Sequence, residues 1–177
     1  MANREALREL QARLATRFEA AQSIASETVW LAVQAGGANY LLPLVQSGEI
    51  FSIGNVHRVP HTQAWFFGVV NLRGNVYAVV QLATFLAGNS HPGHRPAIGE
   101  GVSAITLNPA LELNCALQVD ALCGLRGPEV FHASDAPATN AAPFFGRRFM
   151  DANGVQWQEI DLRALAQSPE FLDVREV

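Results

Sequence analysis

Apolar and β-branched positions fall in short runs along most of this chain. The densest is residues 68–82, Gly-Val-Val-Asn-Leu-Arg-Gly-Asn-Val-Tyr-Ala-Val-Val-Gln-Leu. Two such runs flanking Gly74-Asn75 read as a β-hairpin with a two-residue turn. That turn sets Arg73 opposite Val76, Leu72 opposite Tyr77 and Asn71 opposite Ala78. One face then carries Val69, Asn71, Arg73, Val76, Ala78 and Val80, and the other Val70, Leu72, Tyr77 and Val79. Both faces are largely apolar, so neither suits open water. A guanidinium among valines needs an acid, because an unpaired buried charge is costly.

The same period of two recurs on either side. Thr28 to Gln34 and Tyr40 to Leu44 read as strands around the Gly36–Asn39 turn, and Glu49 to Ile53 as a third strand. Gln81 to Ala87 is a short helix, and 88–99, rich in Gly and Pro, is a loop. Val102 to Leu107 and Leu113 to Val119 follow as strands around Asn108-Pro109, then Asp120 to Arg126. Residues 127–143 read as loop. Phe144 to Met150 and Val155 to Ile160 are strands around Asp151-Ala152-Asn153-Gly154. Asp161 caps a helix over Leu162 to Gln167, stopped by Pro169. Only residues 3–20 carry a helical period: Leu7, Leu10, Leu14 and Phe18 on one face, with Arg4, Arg8, Arg13 and Arg17 among the others. That helix either packs on its own domain or docks a partner. Many short strands with frequent turns indicate a mainly β fold of barrel or sandwich type.

Composition narrows the function. The 177 residues are 49% apolar and 16% charged, as in a compact globular chain. A net charge of −4 argues against a nucleic-acid partner. No apolar run is long enough to span a bilayer, so no direct membrane insertion is expected. The charged N-terminus lacks a signal-peptide core, and the expected location is cytoplasmic. Every basic residue is Arg, and the absence of Lys removes Walker, Schiff-base and lysine-nucleophile chemistry. Cys115 and Cys123 lack CxxC spacing and read as buried thiols. His91 and His94 sit in the Pro/Gly loop without a metal-like cluster, as do His57 and His61 around Val59-Pro60. His132, Ser134 and Asp135 are too close in sequence to assemble a triad. The expectation is no catalytic residue, no metal and no cofactor, in a chain better suited to binding than to catalysis.

The stretch Phe67-Gly68-Val69-Val70-Asn71-Leu72-Arg73-Gly74 resembles the signature of CheW-like chemotaxis coupling proteins. Tyr40-Leu41-Leu42-Pro43-Leu44, Gly48-Glu49-Ile50, Val59-Pro60, Leu117-Gln118-Val119-Asp120 and Ile160-Asp161-Leu162 support it by order and spacing. The N-terminal helix, the 88–99 loop and the tail Phe171-Leu172-Asp173-Val174 look like the coupling proteins of type IV pilus (twitching) systems, the PilI-like subgroup. Gln81 departs from the Asp usual in the family. The resemblance implies two small SH3-like β-barrels side by side. The expected layout is an N-terminal helical extension (1–27), a CheW-like domain (28–167) and a C-terminal tail (168–177). Its first barrel is mostly 28–87 and its second mostly 100–167, with room for strands to be exchanged. The resemblance also implies a non-enzymatic adaptor between a CheA-like histidine kinase regulatory domain and the cytoplasmic tip of a methyl-accepting chemoreceptor. The alternative is a small ligand-binding β-barrel or an uncharacterised enzyme. Glu49, the acid of the family's Glu-Ile strand, is the expected partner of Arg73. Val56, Asn71, Arg73 and Gly74 are the expected partner-binding residues, at the seam between the barrels.

Overall fold

The computed structural model describes residues 29–88 and 103–176. The helix expected over 3–20 and the loop histidines His91 and His94 lie outside the described residues. Alternating apolar positions yield strands β1 (Trp30–Ala35), β2 (Ala38–Pro43), β3 (Ser47–Ser52), β4 (Phe66–Leu72) and β5 (Asn75–Gln81), then β6 (Ser103–Leu107), β7 (Cys115–Val119) and β8 (Ala121–Arg126). β9 (Phe131–Asp135), β10 (Phe145–Asp151) and β11 (Gln156–Ile160) complete them. Short helices follow β5 and β11: α1 (Leu82–Leu86), α2 (Leu162–Gln167) and α3 (Pro169–Leu172).

The strands form a six-stranded sheet, β8-β1-β2-β11-β10-β9, and a five-stranded sheet, β3-β6-β7-β5-β4. Strands are therefore exchanged between the two halves of the chain: the first two pair with the last four, and the five between them build the second sheet. β1 shows why. Trp30 and Ala32 pack with Leu41 and Trp157 inside the six-stranded sheet. Leu31, Val33 and Ala35 join Val80, Ile105 and Leu117 of the other sheet in one shared core. A strand apolar on both faces needs cover on both, and a central place between two packed sheets supplies it. This shared core is the seam, closed by Leu162 and Leu165 of α2 and by Phe171 of α3.

Two turns illustrate local control. The β10–β11 connection is held by Asp151, whose Oδ1 accepts from the backbone N–H groups of Asn153 (2.9 Å) and Val155 (3.0 Å). Its Oδ2 accepts from the Trp157 indole at 3.1 Å. The indole hydrogen bond, then the backbone donors, hold this carboxyl below its ordinary value. A carboxyl depressed on folding contributes stability above its unfolded pKa and loses it as pH falls through the folded one. Asp151→Asn is thus expected to lower the urea midpoint at neutral pH, with the gap from wild type closing on acidification. A gap that persists at acid pH contradicts this role. In α2, Asp161 caps the helix by accepting from Arg163 and Ala164 N–H groups at 2.9 and 3.2 Å.

Two expectations are corrected. Residues 127–143 are not all loop, since Phe131–Asp135 is edge strand β9. Its solvent-facing residues hide the apolar alternation. In that strand His132 and Ser134 share a face and Asp135 takes the other, so strand geometry itself denies a triad. The helix over Leu162–Gln167 does stop before Pro169, with Ser168 extended, and Pro169 then opens the separate helix α3 at its first position, where a missing N–H costs nothing. The central hairpin is shifted by one residue: Leu72 pairs with Asn75, Asn71 with Val76, Val70 with Tyr77 and Val69 with Ala78.

Candidate partner-binding surface

The shift follows from the turn. Arg73 and Gly74 form it, with φ of 52° and 87°. A two-residue turn with both φ positive matches the twist of the flanking strands, and Gly takes that conformation freely. Asn71 Oδ1 accepts from Gly74 N–H at 2.9 Å and compensates for the less favoured conformation at Arg73. The two faces keep their expected residues: one ribbon face carries Val70, Leu72, Tyr77 and Val79 and lines the interior of the five-stranded sheet. The other carries Val69, Asn71, Val76 and Ala78. Arg73 is in neither row, so it does not lie among valines.

Arg73 Nη2 meets Glu49 Oε1 at 2.7 Å, with the side chains 77% and 38% exposed. β3 and β4 are the two edges of the five-stranded sheet. Flat, those edges would stand about 19 Å apart at the usual strand spacing. The pair therefore reports that the sheet curls until its β3 edge meets the hairpin turn. Glu49 is held in place by its own backbone, whose N–H donates to Thr106 Oγ1 at 2.7 Å. Gly48 permits that approach, because a Cβ there would stand 2.3 Å from the same oxygen. Since the pair is exposed, Glu49→Ala is expected to cost less than about 1 kcal/mol at low salt and less still at high salt. Paired urea titrations at two ionic strengths check this, and a loss of several kcal/mol contradicts it.

The hairpin root and tip differ in surroundings. At the root, the backbone N–H and C=O of His57 exchange hydrogen bonds with Val69 at 2.8 and 2.9 Å. Val56 leans over Gly68, where a Cβ would stand 2.7 Å from its Cγ1. Phe66 and Val80 join the seam. At the tip, Asn71, Arg73 and Gly74 are exposed. The structure thus groups Asn71, Arg73, Gly74 and Glu49 at the tip and leaves Val56 at the root. It is the root, not the tip, that meets the seam.

Sequence reasoning did not single out the apolar residues around this tip. Val76 on β5 is 58% exposed and Ile50 on β3 is 45% exposed. Both hairpin faces are largely apolar, so the sequence pattern alone did not say which face the rest of the sheet would leave uncovered. Arg58, packed over the Phe67 ring at 5.3 Å, borders the root. On the outer side of β4, among the described residues, the paired stretch is the His57–Val69 bridge, which leaves the tip half an open sheet edge.

Among the described residues no group of three or more His, Cys, Asp or Glu is placed to hold a metal, and no helix is long and apolar enough to cross a membrane. Cys115 is buried, and desolvation pushes its thiol up to about 12, so it packs as a small apolar side chain. Cys123 is partly exposed.

The CheW-like domain model matches residues 30–170, and the chain belongs to that family of coupling scaffolds. It is 26% identical over 165 residues to the protein PilI of Pseudomonas aeruginosa, covering 92% of this chain and 88% of that one. Its fold is similar to that of the scaffolding protein TtCheW from Thermoanaerobacter tengcongensis, with a TM-score of 0.60 at 17% identity, over 76% of this chain and 88% of that structure.

Proposed function

We propose that this chain is a non-enzymatic, cytoplasmic adaptor. It couples the regulatory domain of a CheA-like histidine kinase to the cytoplasmic tip of a methyl-accepting chemoreceptor, in control of type IV pilus twitching motility. The observation that carries the reading is the exposed tip of the β4–β5 hairpin: apolar Val76 and Ile50 beside an open strand edge, with Asn71, Arg73 and Gly74 at its end. Such an edge offers main-chain hydrogen bonds, and the apolar residues beside it provide area to bury against a partner strand. The relationship to PilI supports the pilus assignment. A ligand-binding barrel is less well supported, because Trp30, Leu41 and Trp157 fill the interior of the six-stranded sheet.

Arg73→Glu sets two acids against each other at the tip and reverses the charge offered to a partner. It is expected to weaken kinase or receptor association about tenfold or more while leaving the fold intact by circular dichroism. A folded variant that binds both partners with unchanged affinity places the contact surface elsewhere.

A further inference from the structure

A second concave surface lies away from the hairpin. Trp65, Phe85, Phe144 and Phe145 line a cavity of about 470 Å³ between the end of α1, the start of β10 and the C-terminal helix α3, with Glu170 and Asp173 at its rim. Its aromatic floor is packed ring against ring. Trp65 stacks on Phe171 with centroids 6.0 Å apart, and Phe85 meets both edge-on at 5.2 and 5.1 Å. The CheW-like reading makes no use of this cavity.

We propose that this cavity is the docking site for the chain's own N-terminal segment, residues 3–20. Three observations select that occupant. The first is chemical fit: Leu7, Leu10, Leu14 and Phe18 recur at helical spacing, and a stripe of that kind matches an aromatic floor. The second is charge: at helical spacing Arg4, Arg8, Arg13 and Arg17 would border the apolar stripe while Glu5, Glu9 and Glu19 would fall on the opposite side, and the cavity's rim carries Glu170 and Asp173. The third is where the described chain begins. Trp30 pairs with Pro43, β2 runs parallel to β11 with Glu159 beside Leu41, and Ile160 pairs with Phe145. The start of β1 therefore stands at the cavity's end of the sheet, three strand spacings or about 15 Å from it. Residues 21–29 can bridge that distance, and a helix over 3–20 would extend about 27 Å, long enough to cross the cavity.

Asp173 also pairs with Arg175 at 3.0 Å, both side chains being half or more exposed. An arriving arginine competes with that exposed pair or uses Glu170 instead.

The absence of lysine makes the test clean. In the full chain, Arg4, Arg8, Arg13 and Arg17 are replaced by Lys one at a time, each introducing a single side-chain amine. A zero-length carbodiimide reagent then joins that amine to any carboxylate in contact, and peptides are mapped by mass spectrometry. At least one variant is expected to cross-link to Glu170 or Asp173 within one molecule, as mixing of isotope-labelled and unlabelled protein shows. Adding Leu10→Asp and Leu14→Asp is expected to abolish that link and to raise hydrogen exchange in peptides covering 83–88 and 142–146, with 75–81 unchanged. Four variants without a link to either acid overturn the proposal. So does a link found only between two molecules, which assigns the cavity to a second copy. A link that survives Leu10→Asp with Leu14→Asp overturns the apolar docking.

Discussion

Phe171→Ala is expected to destabilise the protein by about 3–5 kcal/mol, the range for removing a buried aromatic ring from a packed core. Phe171 is 3% exposed and lies in a four-residue helix near the chain's end. It holds together Trp65, which leads into β4, and Phe85 of α1, which follows β5. The same C-terminal stretch pins the connection before β4: Gln63 N–H donates to Val174 O at 2.8 Å and Gln63 Nε2 to Arg175 O at 2.8 Å. For a chain of this size the loss corresponds to a fall in Tm of about 6–20 °C. Thermal unfolding followed by near-UV circular dichroism measures it. A shift within 2 °C would mean that the C-terminal helix is dispensable to the core.

Gly68→Ala carries the second large effect, and it bears on the proposed binding surface. Gly68 has φ of 141°, a region that L side chains avoid, and a Cβ there would stand 2.4 Å from the carbonyl oxygen of His57. Backbone strain of about 1–3 kcal/mol adds to overpacking of about 1–3 kcal/mol. The clash falls on the segment that pairs with Val69, so the cheapest relief is to push Val56 and His57 off the β4 edge. The variant should lose stability by several kcal/mol in urea titration. It should also show faster hydrogen exchange at His57 and Val69 than elsewhere in the sheet. Uniform acceleration throughout the chain would instead mean global loosening with no local release.

Much of this fold was legible as a two-residue period. The strands at 30–52 and 66–81, the short helices after Gln81 and Asp161, and the tight turn at Asp151–Gly154 each rest on a local rule that the packing respects. What local rules could not supply was partnership. β1 and β2 read as a hairpin, yet nothing within them says that they pair with β8 and β11 rather than with β3. That choice belongs to the two buried faces of β1 and to what covers each. The hairpin slip has a smaller cause. Gly74 could serve as the first or second turn residue, and the Asn71 side chain decides for the second by accepting its N–H. β9 escaped notice because Phe-His-Ala-Ser-Asp has one large apolar residue. Phe171 was noted only as part of the tail and not as core, because a tail with isolated apolar residues carries no period.

The same distinction holds for the surface. Glu49 and Arg73 are neighbours in space because the five-stranded sheet curls, and the family resemblance rather than their spacing pointed to the pair. Val76 and Ile50 became visible only when the packing showed which faces are left uncovered.

The central claim is that this chain is a bridge. Its most direct test is titration of the full chain with the purified regulatory domain of a CheA-like kinase, and separately with a receptor cytoplasmic tip, followed by calorimetry. Saturable binding to each is expected, with both partners retained together on one adaptor and both the binary and ternary complexes weakened by Arg73→Glu. A folded wild-type chain that binds neither partner contradicts the account.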